Sequence, residues 1–239
     1  ILMTMMMTIM RKKKLYKREV YKTRAEWLDS RGFGGSSASA ILGKNPYMTE
    51  LDLINTALRK DRTPKRDTVT ESTQYGVQCE PLIRKIYAID MKNKYKVHNP
   101  YFNEMYRRID KPFLTATLDG VLTEIATKRK GILEIKTHDI RNKKDEAVWE
   151  NGLPDNYYIQ LLHYLMVMND FEFAVLVAKL RFFDYFDPEG KKLIRTEMRY
   201  YYIDRKEKET EIKYLENKET KFYQDYIVDG KIPPIKITF

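Results

Sequence analysis

One cysteine, Cys79, stands in a chain of 239 residues. Its solitude excludes an internal disulfide and any cysteine-rich zinc site, and it fits a reducing compartment such as the cytoplasm. A membrane-spanning stretch is also missing. The opening ILMTMMMTIM is apolar over only ten residues, and its basic run RKKK follows it. That order is the reverse of a secretory signal, and a bilayer span needs ~20 residues. No basic amphipathic helix with a Trp/Leu face offers itself to a membrane surface. Internal repeats are lacking, as is any linker rich enough to divide domains. Acidic residues are outnumbered, 34 Asp and Glu against 44 Lys and Arg, for a net charge of +10. The excess favours a polyanionic partner, nucleic acid being the commonest.

What is present is globular: 43% hydrophobic, 33% charged, and long enough to bury a real core. Residues 1–19 read as a flexible N-terminal extension and 20–239 as one domain. VYKTRAEWLDS (20–30) predicts a short helix anchored by Trp27 and Leu28. In RGFGGSSASAILG, Ser36 is placed to cap a small-residue helix that begins between Ser39 and Leu42 and stops at Gly43. A turn then precedes a helix from about Thr49, and residues 61–72 read as a loop. TQYGVQCEPLIRKIYAIDMK has helical periodicity, with Tyr75, Cys79, Leu82, Ile83 and Ile86 near one stripe. Pro81 predicts a start or a kink there. Residues 95–127 alternate as strands, TATLDGVLTEIATKRKGILEIKTHD reads as a hairpin turning at ATKRKG, and DNYYIQLLHYLMVMND is a helix. A second hairpin turns at DPEG, and a charged helix runs from Arg205 to about Asp229. Helices flanking a central set of strands in mixed order make an α/β domain.

Within that frame KRKGILEIKTHD (128–139) is unusual. On a strand, Glu134 and Lys136 share one face while Leu133 and Ile135 take the other. An amphipathic strand with a solvated polar face would account for the pair taken alone. Two further carboxylates alter the reading: Asp119 in TLDG, 15 residues before Glu134, and Glu80 on the preceding helix. Asp119 and Glu134 can meet across the hairpin. Carboxylates brought together repel unless a cation neutralises them, and oxygen donors select hard Mg²⁺ or Mn²⁺. Such an ion polarises a phosphoryl oxygen and acidifies a bound water, and an adjacent lysine can orient that water. This is the chemistry of phosphodiester hydrolysis.

The arrangement resembles the PD-(D/E)XK nuclease superfamily, with LD in place of PD. EWLDSRGFGGSSASAILGKNPY, YGVQCEPLIRKIY, TATLDGVL, GILEIKT, YYIQLLHYLMV and the closing DYIVDGKIPP follow the order of the YqaJ-like phage recombinase family, the group of phage lambda exonuclease. The resemblance runs from about Glu26 to Pro234. It implies a single PD-(D/E)XK nuclease-type domain with a central mixed β-sheet flanked by helices. It also implies that Asp119, Glu134 and the carbonyl of Ile135 ligate Mg²⁺ or Mn²⁺, with Glu80 joining directly or through water. Lys136 would assist the nucleophilic water, supported by Gln160, and Arg31 and Ser36 would grip a 5′-phosphate. In the family pattern more residues separate this arginine from GGS, and Asp often stands where Ser37 does. A cradle of glycine-rich backbone with a serine and an arginine is independently suited to phosphate.

By resemblance the chain would be a Mg²⁺-dependent exonuclease acting on linear duplex ends from the 5′ side. It would leave 3′ tails for a single-strand annealing partner and work as a ring-shaped homo-oligomer, such as a trimer, in the cytoplasm of a phage host. A PD-(D/E)XK endonuclease of restriction or repair and a catalytically inactive DNA-binding module are the alternatives. Gln160 also reads as a core amide. His163 reads as structural, and His98 and His138 as plain polar residues.

Overall fold

The computed structural model describes residues 13–58, 70–186 and 188–234. Its frame is a five-stranded sheet of order β2-β5-β6-β7-β8, formed by Tyr95–His98, Gly120–Glu124, Lys130–Ile140, Phe173–Phe186 and Lys192–Asp204. Neighbours are antiparallel except β6 and β7, which are parallel. A parallel pair needs a crossover, and here it is helical: α5 (Lys143–Glu150) and α6 (Asp155–Val167). A smaller sheet of order β1-β3-β4 contains Tyr16–Val20, Glu104–Arg108 and Thr115–Ala116. The helices α1 (Arg24–Ser30), α2 (Gly35–Ile41), α3 (Glu50–Leu58), α4 (Glu71–Asp90) and α7 (Arg205–Phe222) complete the order, and a π-helical turn, Tyr223–Val228, extends α7.

Both faces of the large sheet are covered, so its central strands are apolar on both sides. On one face α4 presses Ile83 and Tyr87 against Leu122, Leu133, Ile135, Phe173, Val175 and Val177. On the other, α6 and α7 bury Leu161, Leu165, Ile212 and Leu215 with Ile132, Ala174, Leu176 and Ala178. Truncating a buried Leu or Ile in either layer to Ala costs about 2–5 kcal/mol. The mixed sheet flanked by helices is the architecture read from the sequence, and the hairpins β5–β6 and β7–β8 fall where the turn signals put them.

Four local readings are corrected. The extension does not reach residue 19: Tyr16 is buried, pairs with Arg108 across to β3, and gives its hydroxyl to Asp170 Oδ1 at 2.7 Å. The basic flank hid this strand, because only Tyr16 supplies a buried apolar side chain. Residues 1–12 lie outside the described residues, as does most of the 61–72 loop, whose last two residues already belong to α4.

Pro81 does not start α4, which is capped by Thr70 and runs through it. The carbonyl that Pro81 leaves without an N–H belongs to Val77, an exposed residue, so water can replace the missing donor. The inward stripe of this helix is half-buried Cys79 with buried Ile83 and Tyr87, whereas Leu82 and Ile86 are exposed. Helix α2 starts at Gly35, before Ser39, and Ser37 rather than Ser36 caps it, its hydroxyl accepting the Gly34 N–H at 3.3 Å.

Candidate active site

Strand β6 supplies the centre. Glu134 and Lys136 point together towards α6, and Lys136 Nζ donates to Glu134 Oε1 at 2.5 Å. From α6, Gln160 Nε2 donates to the same oxygen at 2.6 Å and to the Tyr164 hydroxyl at 2.8 Å. Glu134 is 2% exposed, and its second oxygen, Oε2, is buried with no hydrogen-bond partner. A buried carboxylate oxygen without a donor is costly, so this atom calls for a cation or a proton.

Asp119 reaches the same place from the turn before β5. The register of β5 and β6 ends at Gly120 opposite Leu133. Beyond that point the Ile135 N–H goes not to a strand carbonyl but to Asp119 Oδ2, at 2.7 Å. The N–H and C=O of one strand residue point to the same edge, so the Ile135 carbonyl also faces the side opened by the divergence. Above that side lies a cleft of about 660 Å³ whose lining includes Glu80, Ile135, Lys136, Tyr47, Tyr157 and Asp139. Helix α4 can lie close over it because of Gly76: a Cβ there would stand 3.0 Å from Thr137 Oγ1.

The electrostatics fit a pair of acids awaiting a cation. Burial, followed by the charge of Asp119, pushes Glu134 up to about 8. Burial also raises Asp119. Lys136 is pulled down by burial, but the charges of Glu134 and Asp119 outweigh it and hold the ammonium above its usual range. Burial and then Asp119 raise Glu80, against the pull of Arg84. A divalent ion would displace the proton that this pair otherwise retains. Among the described residues no three His, Cys, Asp or Glu side chains converge as a finished cage. Asp119 and Glu134 form the core of the donor set, and Glu80 stands beside it in an ion pair with Arg84. The orphaned Glu134 oxygen, Asp119 and a main-chain carbonyl are hard oxygen donors of the kind Mg²⁺ and Mn²⁺ take.

Of the residues singled out from the sequence, Asp119, Glu134, Ile135, Lys136 and Gln160 meet directly. Arg31 and Ser36 flank the start of α2, whose first residue, Gly35, packs on Gln160. Ser36 is exposed, and the Arg31 guanidinium lies 4.8 Å from the centre of the Trp27 ring.

Three neighbours went unnoticed in the sequence. Tyr157 has its ring centre 5.5 Å from Lys136 Nζ, Tyr164 holds Gln160, and Arg84 ties Glu80 to the Asp119 turn. Arg84 had a signal, its spacing of four from Glu80, whereas the tyrosines blended into an apolar helix. His163 is structural, as read: it is fully buried, with Nε2 donating to the Thr115 carbonyl at 2.9 Å and Nδ1 facing Glu219 Oε1 at 2.8 Å.

Comparison with known proteins gives a similar fold and the family. An alkaline exonuclease from Laribacter hongkongensis has a similar fold, with a TM-score of 0.51 at 15% identity over 85% of this chain and 93% of that one. The protein YqaJ of Bacillus subtilis (strain 168) is 30% identical over 172 residues, which are 67% of this chain and 48% of that protein. The chain therefore spans about half the length of that curated relative. The model of the YqaJ-like viral recombinase domain matches residues 26–170, the stretch from α1 to the end of the crossover that carries every residue of the centre. The chain belongs to the YqaJ-like viral recombinase domain family.

Proposed function

We propose that this chain is a metal-dependent DNA exonuclease that hydrolyses phosphodiester bonds at the ends of linear duplexes. The observation that carries the reading is the Glu134 carboxylate. One of its oxygens is tied to Lys136 and Gln160, and the other is buried, unpaired and beside Asp119. Asp119, Glu134 and the Ile135 carbonyl would hold Mg²⁺ or Mn²⁺, with Glu80 at one side. When bound, the ion would polarise the scissile phosphate and lower the pKa of a water. Lys136, held by Glu134 on the cleft wall, orients that water and offsets charge growing on the phosphoryl oxygens. Gln160 keeps Glu134 in its rotamer. Arg31 and Ser36 take the terminal 5′-phosphate, which sets the direction as 5′ to 3′ and leaves 3′ tails for an annealing protein. A ring of identical subunits around the duplex would keep the enzyme on its substrate. The net charge of +10 favours the phosphate backbone as partner.

The test uses a linear duplex labelled at one 5′ end beside a closed circle of the same sequence, each incubated with Mg²⁺, with EDTA and with the Lys136→Ala protein. Labelled mononucleotide released from the linear DNA alone, only with metal and only by the parent, is the expected result. Cutting of the circle would make the protein an endonuclease. Intact DNA with both Mg²⁺ and Mn²⁺ would leave a binding module.

A further inference from the structure

Arg84 joins the parts of the acidic cluster through two contacts. It stands four residues after Glu80 on α4, one turn along the same face. Its Nη2 donates to Glu80 Oε1, and its Nε donates to the main-chain carbonyl of Asp119 at 2.5 Å. The Arg84 side chain is 12% exposed and that of Glu80 38%, so the guanidinium is lodged behind the carboxylate that lines the cleft. A guanidinium presents its N–H groups in a rigid planar fork. Satisfying a helix carboxylate and a loop carbonyl at once therefore fixes the distance and angle between the two elements. The Asp119 side chain is held in turn by the Ile135 N–H. Helix, turn and catalytic strand are thereby braced as one unit through two side chains, Arg84 and Asp119.

We propose that Arg84 is a positioning residue for the cation site, keeping Glu80 and the Asp119 turn in fixed relation so that Glu80 stays beside the Asp119 and Glu134 pair that would hold a divalent ion. This rests on the metal-dependent reading above. Two effects of Arg84 on such an ion have opposite signs. Its charge repels a cation, so a purely electrostatic role has removal of the charge tighten binding. Its bracing organises the donors, so a positioning role has removal weaken binding. Lysine separates the two, because it keeps the charge but as a point donor without the fork.

The experiment is calorimetric titration of Mn²⁺ into the metal-free parent, Arg84→Lys and Arg84→Gln proteins without DNA, with thermal unfolding of the same preparations. Both variants are expected to bind Mn²⁺ about tenfold to a hundredfold more weakly. The Arg84→Lys protein should unfold within a few degrees of the parent, and raised Mn²⁺ should restore its single-turnover cleavage. In a Glu80→Gln background the lysine substitution should add little further loss. Parental affinity in Arg84→Lys, or tighter binding in Arg84→Gln, would overturn the proposal. So would an equal loss with and without Glu80. If Arg84→Gln does not fold, the lysine variant alone decides. A parent that binds no Mn²⁺ removes the metal reading and this inference with it, whereas a binding parent matched by Arg84→Lys removes this inference alone.

Discussion

Gly35 and Gln160 are packed so closely that a Cβ on the glycine would lie 2.3 Å from Gln160 Cγ. The missing side chain lets the first turn of α2 rest on α6 beside the amide that binds Glu134. Gly35→Ala sets two effects against each other. Alanine gains about 1 kcal/mol of helix propensity over glycine, while overpacking costs about 1–3 kcal/mol. The net expectation is a loss of up to about 2 kcal/mol in urea unfolding. Displacement of Gln160 should also lower the cleavage rate by about tenfold or more, in the range found for groups that orient metal ligands. An alanine variant with the parental rate would mean that Gln160 does not need its present rotamer.

The raised Glu134 gives the metal-free protein a characteristic pH dependence. A carboxyl whose folded pKa lies above its unfolded value favours the fold when protonated. Its contribution is complete below about 4.5 and disappears as the pH rises through about 8. The melting temperature of the metal-free parent should therefore fall between pH 5 and pH 8 relative to that of Glu134→Gln, whose side chain does not titrate. Saturating Mn²⁺ should reduce the difference. Parallel melting curves for the two proteins across this window would refute the buried, proton-retaining carboxyl.

His163 and Glu219 form a second buried ionisable pair, both fully enclosed, linking α6 to α7, with the Thr115 carbonyl of β4 on the other ring nitrogen. Burial opposes the imidazolium, but the charge and hydrogen bond of Glu219 outweigh it, so His163 titrates above its usual range. Removing one partner of a buried pair leaves the other uncompensated, at about 3–5 kcal/mol. His163→Leu and Glu219→Leu should each destabilise by this much in urea unfolding, and the double substitution by less than the sum. Additive losses would mean the two groups are not coupled.

Much of the centre was legible because it is local. Glu134 and Lys136 share a strand face by simple alternation, and the short turn at residues 125–129 brings Asp119 to the level of Glu134, one step past the last pair, Gly120 and Leu133. Gln160 lies on a helix whose pattern is plain. What escaped was long-range or depended on solvent. The contact of Arg84 with the Asp119 carbonyl spans 35 residues. Periodicity on α4 could not choose between the stripe through Leu82 and Ile86 and the one through Ile83 and Tyr87, because only the sheet beneath it decides. That α4 does not start at Pro81 has a related cause: whether a lost hydrogen bond breaks a helix depends on whether water can reach the carbonyl it frees.

The parting of the chain from β6 on the Asp119 side of Gly120 has a consequence for what the centre can distinguish. From Ile135 onward the cleft offers main-chain groups, the ammonium of Lys136 and the rings of Tyr47 and Tyr157, with the carboxylates of Glu80 and Asp139; cations meet phosphate, and aromatic rings stack on any base alike. On the proposed function such a cleft is blind to sequence. Each nucleotide presents the same backbone to it, so on this reading digestion is expected to proceed through any sequence.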